Sequence, residues 1–257
     1  MIYGNKDFFT PEQVYRALGS TKLEHGIDNG KGPWMIQVSG NDVSTSSWAS
    51  VNPAVAESFF LPSAGVLPSI KSGSANDTNG GAGWGQLQFY GWDENGDYQA
   101  ENVLLSGIAT ANFTQKFTSL NWGATVVRQA GLFNTNSGLI SVMDNSANVI
   151  AGAAAQQGAI ASMSFKVPVG HKAQVAMMTL NKDSFTTNVF ARVRVRQSGT
   201  AEWMCLPGTP VVVSNVPTPT LFGRVELLEN TDIDVQVIDS GGSSTVVGGS
   251  LFILLYK

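Results

Sequence analysis

Two stretches of this chain alternate apolar and polar residues with period two: Asn188–Arg196 reads N-V-F-A-R-V-R-V-R and Asp232–Val237 reads D-I-D-V-Q-V. That period turns successive side chains to opposite faces, so each stretch is expected to be a strand with one face in a core. On the first, Arg192, Arg194 and Arg196 share a face; on the second, Asp232 and Asp234 do. Further strand signals fall at 139–143, 160–167, 173–180, 201–205, 210–213, 222–227 and 245–256. The 28 glycines and the many Asn, Ser and Thr residues supply the turns that such short strands need. The expected fold class is all-β: two antiparallel β-sandwich or jelly-roll-like domains behind a short N-terminal helical arm. No repeat of fixed period stands out, which argues against a propeller.

The arm, residues 1–30, holds the clear helix signal. Thr10-Pro11-Glu12-Gln13 forms a capping box with proline at the first helical position, and Phe9 and Val14 stand at the two positions of a hydrophobic staple. Gly19 is placed to end the helix, which gives Pro11–Leu18. So short a helix needs a surface to dock on, and Phe8, Phe9, Val14 and Leu18 are its candidate contacts. A first β-domain is expected over 31–131, with a strand at Trp34–Val38 and a hairpin joining Trp84–Trp92 to Tyr98–Ser106 through Asn95-Gly96. Leu132–Gly138 marks the boundary, and 139–257 form the second β-domain.

Composition narrows the chemistry. Charged residues make up 13% of the 257 positions, against about 25% in an average soluble protein. Two histidines and one cysteine leave little to build a metal centre from, and no cofactor is expected. The motifs of serine hydrolases, P-loops and zinc proteases do not occur. A net charge of −4 gives no electrostatic reason to bind nucleic acid, and no segment has the apolar length of a membrane span. The first residues show no basic and apolar leader, so synthesis in a cytoplasm is expected.

Four local patterns invite functional readings. Asp239-Ser240-Gly241 resembles one half of an aspartic protease site, but Asp77-Thr78-Asn79 lacks the glycine of a second half, so a hairpin turn is favoured. Asp93, Asn95 and Asp97 have the odd spacing of a calcium loop, yet Leu104 stands where the bidentate glutamate belongs, which favours a polar turn. Cys205, at an apolar strand end, is expected to be a buried thiol. The Arg192, Arg194 and Arg196 stripe could meet an anionic partner, but pairing across the sheet with Asp232 and Asp234 is the favoured reading. Trp84 and Trp92, which flank one strand, could stack on sugar rings or anchor an interface, but a place in the core or at an interface is the favoured reading.

The run from Gly81 through Gly91-Trp92-Asp93 to Gly107, with F-K-V-P-V-G-H-K-A, F-A-R-V-R-V-R and T-D-I-D-V-Q-V downstream, resembles β-sandwich virion structural proteins of marine tailed bacteriophages. The resemblance spans roughly residues 80–257 and departs from the family's usual G-L-D at Trp92. It implies a particle component without catalysis, located in the virion as a capsid decoration, head-fibre or tail-associated protein. The closing strand, G-S-L-F-I-L-L-Y, is similar to that of trimeric jelly rolls of the tumour-necrosis-factor type. The expected partners are copies of the chain itself, with a trimer favoured, and other virion proteins such as the capsid. The alternative is a carbohydrate-binding adhesin that uses exposed aromatics on a host surface glycan.

Overall fold

The computed structural model describes residues 34–43, 46–52, 54–55, 59–129, 135–157, 160, 162–183, 188–197, 200–223, 225–241 and 245–257. In chain order the strands are β1 (Trp34–Val43), β2 (Ala49–Ser50), β3 (Ser69–Ser72), β4 (Trp84–Trp92), β5 (Tyr98–Leu104) and β6 (Ala111–Asn112). They continue as β7 (Ser119–Gln129), β8 (Ile140–Met143), β9 (Val149–Ala153), β10 (Ser164–Lys166), β11 (Lys172–Lys182) and β12 (Val189–Arg196). The last are β13 (Met204–Cys205), β14 (Val211–Val213), β15 (Thr218–Leu221), β16 (Glu226–Leu227), β17 (Asp232–Asp239) and β18 (Val246–Tyr256). No helix occurs among the described residues. The expected helix at Pro11–Leu18, with Phe8, Phe9, Val14 and Leu18, lies outside them.

The strands form four small antiparallel sheets. One runs β1-β18-β11-β15 with β16 also on β11; a second runs β10-β17-β12-β13 with β14 on β12 and β2 on β17. The smaller two are β6-β3-β8-β9 and β5-β4-β7. By sheet count this is a four-bladed, propeller-like grouping. Its blades hold five, six, four and three strands, and sheets so unequal leave no fixed-period repeat in the sequence. Strand pairing also crosses the expected division at 132–138: β1 pairs β18 from Trp34↔Leu255 to Val43↔Val246, β2 pairs β17, and β3 pairs β8.

The alternating residues do what their period requires. Val189, Ala191, Val193 and Val195 on β12 and Ile233, Val235 and Val237 on β17 point into one apolar cluster. Val247, Leu251, Ile253 and Leu255 on β18 enter the same cluster, as do Trp84, Leu87 and Phe89 on β4. Trp84 and Trp92 are 1% and 4% exposed, and Trp92 meets Phe165 edge-on at 5.6 Å between ring centres. Both rings are thus part of the core, and neither stands free to stack on a sugar ring. The register of β4 against β7 shifts between Trp84 and Gln86, Gln86 and Leu87, and Gln88 and Tyr90.

Where strands are short, buried carboxylates hold the backbone instead. Asp77, fully buried, accepts from the Ser72 hydroxyl at 2.5 Å and from the backbone N–H groups of Trp84, Ser137 and Gly138 at 3.0, 2.8 and 2.9 Å. One side chain thus ties the end of β3, the start of β4 and the entry to β8. A Cβ on Gly83 would stand 2.0 Å from Asp77 Oδ1, so the close approach of this backbone requires glycine. Glu101 does the same for the 114–115 turn, accepting from Thr114 N, Thr114 Oγ1 and Gln115 N at 2.6, 2.8 and 3.0 Å. Asp77→Ala strands three backbone N–H donors, two of them buried, and is expected to cost about 3 kcal/mol or more in a urea unfolding titration. A loss below about 1 kcal/mol in that titration would show that water takes over the three donors and that Asp77 is no brace.

Candidate functional site

Of the side chains that sequence reasoning singled out, the arginine stripe and its two aspartates come together in one place, the face of the β10-β17-β12 sheet turned away from the apolar cluster. Register builds it in rows. Arg196 stands opposite Asp232, which stands opposite Lys166; Arg194 stands opposite Asp234, which stands opposite Ser164; Arg192 stands opposite Gln236. In the first row Arg196 donates to Asp232 Oδ2 from Nε and Nη2 at 3.1 and 2.7 Å, and Lys166 Nζ lies 3.2 Å from Asp232 Oδ1. In the second, Arg194 Nε and Nη2 reach Asp234 Oδ2, both at 2.9 Å, and Ser50 Oγ donates to the same oxygen at 2.8 Å. In the third, Arg192 Nε and Nη2 donate to Gln236 Oε1 at 3.0 and 2.7 Å. The pairing with Asp232 and Asp234 that the alternation implied is what the structure contains.

This face is covered by aromatic rings from outside the three strands. The Arg192 guanidinium lies 4.2 Å from the ring centre of Trp48, that of Arg194 lies 4.0 Å from Trp203, and that of Arg196 lies 4.6 Å from Trp203 and 5.9 Å from Phe60. Across these rows four cations meet two carboxylates, and the ring faces supply the remaining negative electrostatic density. The Arg194 and Asp234 side chains are 8% and 1% exposed. The polar face of an alternating strand is the one expected in water, and here Trp203 keeps it dry. The signal missed was the role of Trp48, Phe60 and Trp203: the first two lie where no strand was expected, and Trp203 lies within the strand signal at 201–205, which says nothing of what its ring covers.

Beside the rows a cavity of about 20 Å³ is lined by Phe60, Leu120, Phe165 and Lys166, among others. It has room for about one water molecule and none for a substrate. The remaining candidates resolve as turns. Asp239 Oδ1 accepts from Gly241 N at 2.7 Å and Oδ2 from the Thr245 hydroxyl at 3.1 Å. Asp93 Oδ1 accepts from Asn95 N and Asp97 N, both at 2.9 Å. Cys205, opposite Arg194 on the edge strand β13, is exposed and not buried as expected, because β13 lies on the rim of its sheet.

The Asp93–Asp97 turn docks on a second turn, Pro168–His171. A Cβ on Gly96, whose φ is +77°, would stand 2.0 Å from the Val169 carbonyl oxygen. His171 is buried there with Nδ1 2.9 Å from Val169 O, so the carbonyl fixes the tautomer with the proton on Nδ1. Burial, above all, holds the His171 pKa below its ordinary 6.5, with Lys257 acting in the same direction and Val169 O and Asp97 against it.

No family model matches this chain, and no curated protein matches it. Among solved structures, the VP2 subviral particle of infectious bursal disease virus overlays with a TM-score of 0.23 at 10% identity, covering 96% of this chain and 78% of the other. The T=1 particle derived from the same virus gives 0.24 at 10% identity, covering 95% and 74%. Overlays at that level establish neither a shared topology nor a shared role.

Two outcomes are expected. Arg194→Ala leaves Asp234 buried beside fewer donors and is expected to cost about 3–5 kcal/mol in chemical denaturation. The double replacement Arg194→Met with Asp234→Leu should cost less than Arg194→Ala alone, since no lone charge remains; equal losses would show that the pair acts through shape and not charge. For His171, the unfolded chain binds a proton first as pH falls, so stability is full above about pH 6.5 and declines as pH drops toward the lower folded pKa. His171→Asn should flatten the stability profile between about pH 7 and 5, and an unchanged profile would place its origin elsewhere.

Proposed function

We propose that this chain is a non-enzymatic structural component of a tailed-phage virion: a capsid decoration, head-fibre or tail-associated protein. It acts through contacts with copies of itself, with a trimer favoured, and with other virion proteins such as the capsid. It is made in the host cytoplasm and resides in the particle. The observation that carries this reading is how the polar side chains are used. Asp77, Glu101, Asp144, Asp232, Asp234 and Asp239 direct their oxygens to backbone N–H groups, hydroxyls and arginines of the same fold. Such a molecule invests its polar chemistry in rigidity, which a load-bearing surface needs and a reacting site does not.

Within that reading the two larger sheets face one another as a jelly-roll-like sandwich. Their inner rows, Val193 and Val235 on one side and Val175 and Ile253 on the other, belong to one apolar cluster, which supports the arrangement. A second reading, an adhesin for a host surface glycan, has one feature in its favour. On the face of β4 and β5 turned away from the core, Tyr98 is 57% exposed and stacks with Tyr90 at 6.3 Å and 11° between planes. Gln88 and Asn102 stand opposite one another on the same face, so amides flank the rings as sugar hydroxyls require.

The deciding experiment is mass spectrometry of washed phage particles, combined with a glycan array probed by the purified protein. The chain should appear at a fixed copy number per particle, and its absence from washed particles would sink the structural reading. Glycan binding that Tyr98→Ala abolishes would move the assignment to the adhesin.

A further inference from the structure

We infer that Asn79 is a site of spontaneous covalent modification, at which the side-chain amide is converted to aspartate and isoaspartate through the backbone nitrogen of Gly80. The chemistry is that of an asparagine followed by glycine. The Gly80 nitrogen attacks Asn79 Cγ; the N–Cγ bond forms, the Cγ–Nδ2 bond breaks, and ammonia leaves with the proton that the nitrogen gives up. Water then opens the five-membered imide. Attack at one carbonyl leaves aspartate, and attack at the other leaves isoaspartate, in which the main chain runs through the former side chain. Glycine favours the first step because no Cβ shields its nitrogen.

The sequence holds three such pairs, Asn29-Gly30, Asn79-Gly80 and Asn95-Gly96, and does not choose between them. The first lies outside the described residues. The structure separates the other two. At Asn95 the reacting atoms are engaged. Gly96 is buried, its N–H donates to Asp93 O at 3.2 Å, and a Cβ on it would stand 2.0 Å from Val169 O. Asn95 Nδ2 donates to Asp93 Oδ2 at 3.4 Å, and Asn95 N to Asp93 Oδ1 at 2.9 Å. Ring closure there has to break these bonds and lift the turn off Pro168–His171.

At Asn79 those restraints are missing. Asn79 and Gly80 are both exposed, and among the described residues neither the Asn79 amide nor the Gly80 N–H has a hydrogen-bond partner. Beyond its chain neighbours, no atom lies within 4 Å of where a Cβ on Gly80 would stand. The pair sits in the middle of a turn closed by Gly81 N donating to Thr78 O at 2.8 Å. Bringing Gly80 N onto Asn79 Cγ therefore asks only for local opening of an exposed turn.

The product places a carboxylate where an amide stood, which adds one negative charge to a chain of net charge −4. The turn leads directly into the Asp77 brace, since Gly83, on its far side, would place a Cβ 2.0 Å from Asp77 Oδ1. The aspartate form leaves the brace as it is, because the Asn79 side chain takes no part in it. The isoaspartate form adds a methylene to the backbone inside the turn and loosens the entry to β4. This inference is independent of the virion reading.

Peptide mapping by mass spectrometry of the full folded chain, aged in mildly alkaline buffer, tests it. Glu94 lies between the two asparagines, so a glutamate-specific protease used at acidic pH puts them on separate peptides. The Asn79 peptide should gain the mass of an amide-to-acid exchange as two separable products, about tenfold or more faster than the Asn95 peptide, whose hydrogen bonds must first be broken. In concentrated urea, where both turns are lost, the two rates should converge. Asn79→Gln, whose longer side chain closes such a ring far more slowly, should abolish the conversion and leave the melting curve unchanged.

The inference is overturned if Asn95 converts as fast as Asn79 in the folded chain, or if Asn79 outlasts it. Conversion of the same peptide that persists in Asn79→Gln would overturn it as well, by assigning the reaction to Asn76. A rate difference that survives in urea would do so too, because flanking sequence and not the fold would then set it.

Discussion

The fold depends on keeping a layer of charge dry. Arg192, Arg194, Arg196 and Lys166 lie on the same sheet face as Asp232, Asp234 and Gln236, and Trp48, Phe60 and Trp203 lie over the guanidinium groups. Removing a guanidinium from water costs several kcal/mol, so the layer is stable only when its hydrogen bonds and ring contacts are all present. That requirement links distant parts of the chain. Ser50 donates to Asp234 across 184 positions, and Lys166 meets Asp232 from β10. Trp48, Phe60 and Trp203 join the same unit through their rings. Five segments thus share one electrostatic unit, and the central strand β17 is buried on both faces, apolar on one and ionic on the other.

The same economy explains the low charge of the chain. A fold of many short strands leaves backbone groups unpaired at every strand end, and each must find a partner when buried. Asp77 satisfies three such N–H groups and Glu101 two. Asp144 repeats the arrangement at the β8–β9 turn, where Oδ1 accepts from Ser146 N and Asn148 N. A carboxylate used in this way is fixed by its donors and has little freedom left to act on anything else.

Legibility followed periodicity. Where a strand has one apolar and one polar face, as in β12 and β17, the sequence located it to within a residue, and the shared parity of Arg194 and Asp234 indicated their pairing. Strands buried on both faces gave no alternation: β9, V-I-A-G-A, was not anticipated. Nor was β15, which contains Pro219 and lies on an edge. Parity does not describe β4 either: register shifts interrupt it opposite β7, and Trp84 and Trp92 are buried along with Leu87 and Phe89 of the other parity. What covers a polar face was not legible at all. Period two states that Arg194 leaves the apolar side, but only the tertiary fold brings Trp203 to within 4.0 Å of it. The Arg194 pair was therefore found and its burial was not.

The unbroken parity that builds the arginine rows also sets where they stop. Along β12 the outward residues run Phe190, Arg192, Arg194, Arg196, and the partners on β17 run Ile238, Gln236, Asp234, Asp232. Charge is therefore concentrated at one end of the strand pair and apolar surface at the other. The aromatic cover sits over the charged end, where the ring faces offset the excess of cations. At the Phe190 end there is no charge for an indole to offset, and the row runs on into Val212 at the edge. The polar end of the face is thus closed by the chain's own rings, while the end left to water is the one whose burial costs no ion desolvation.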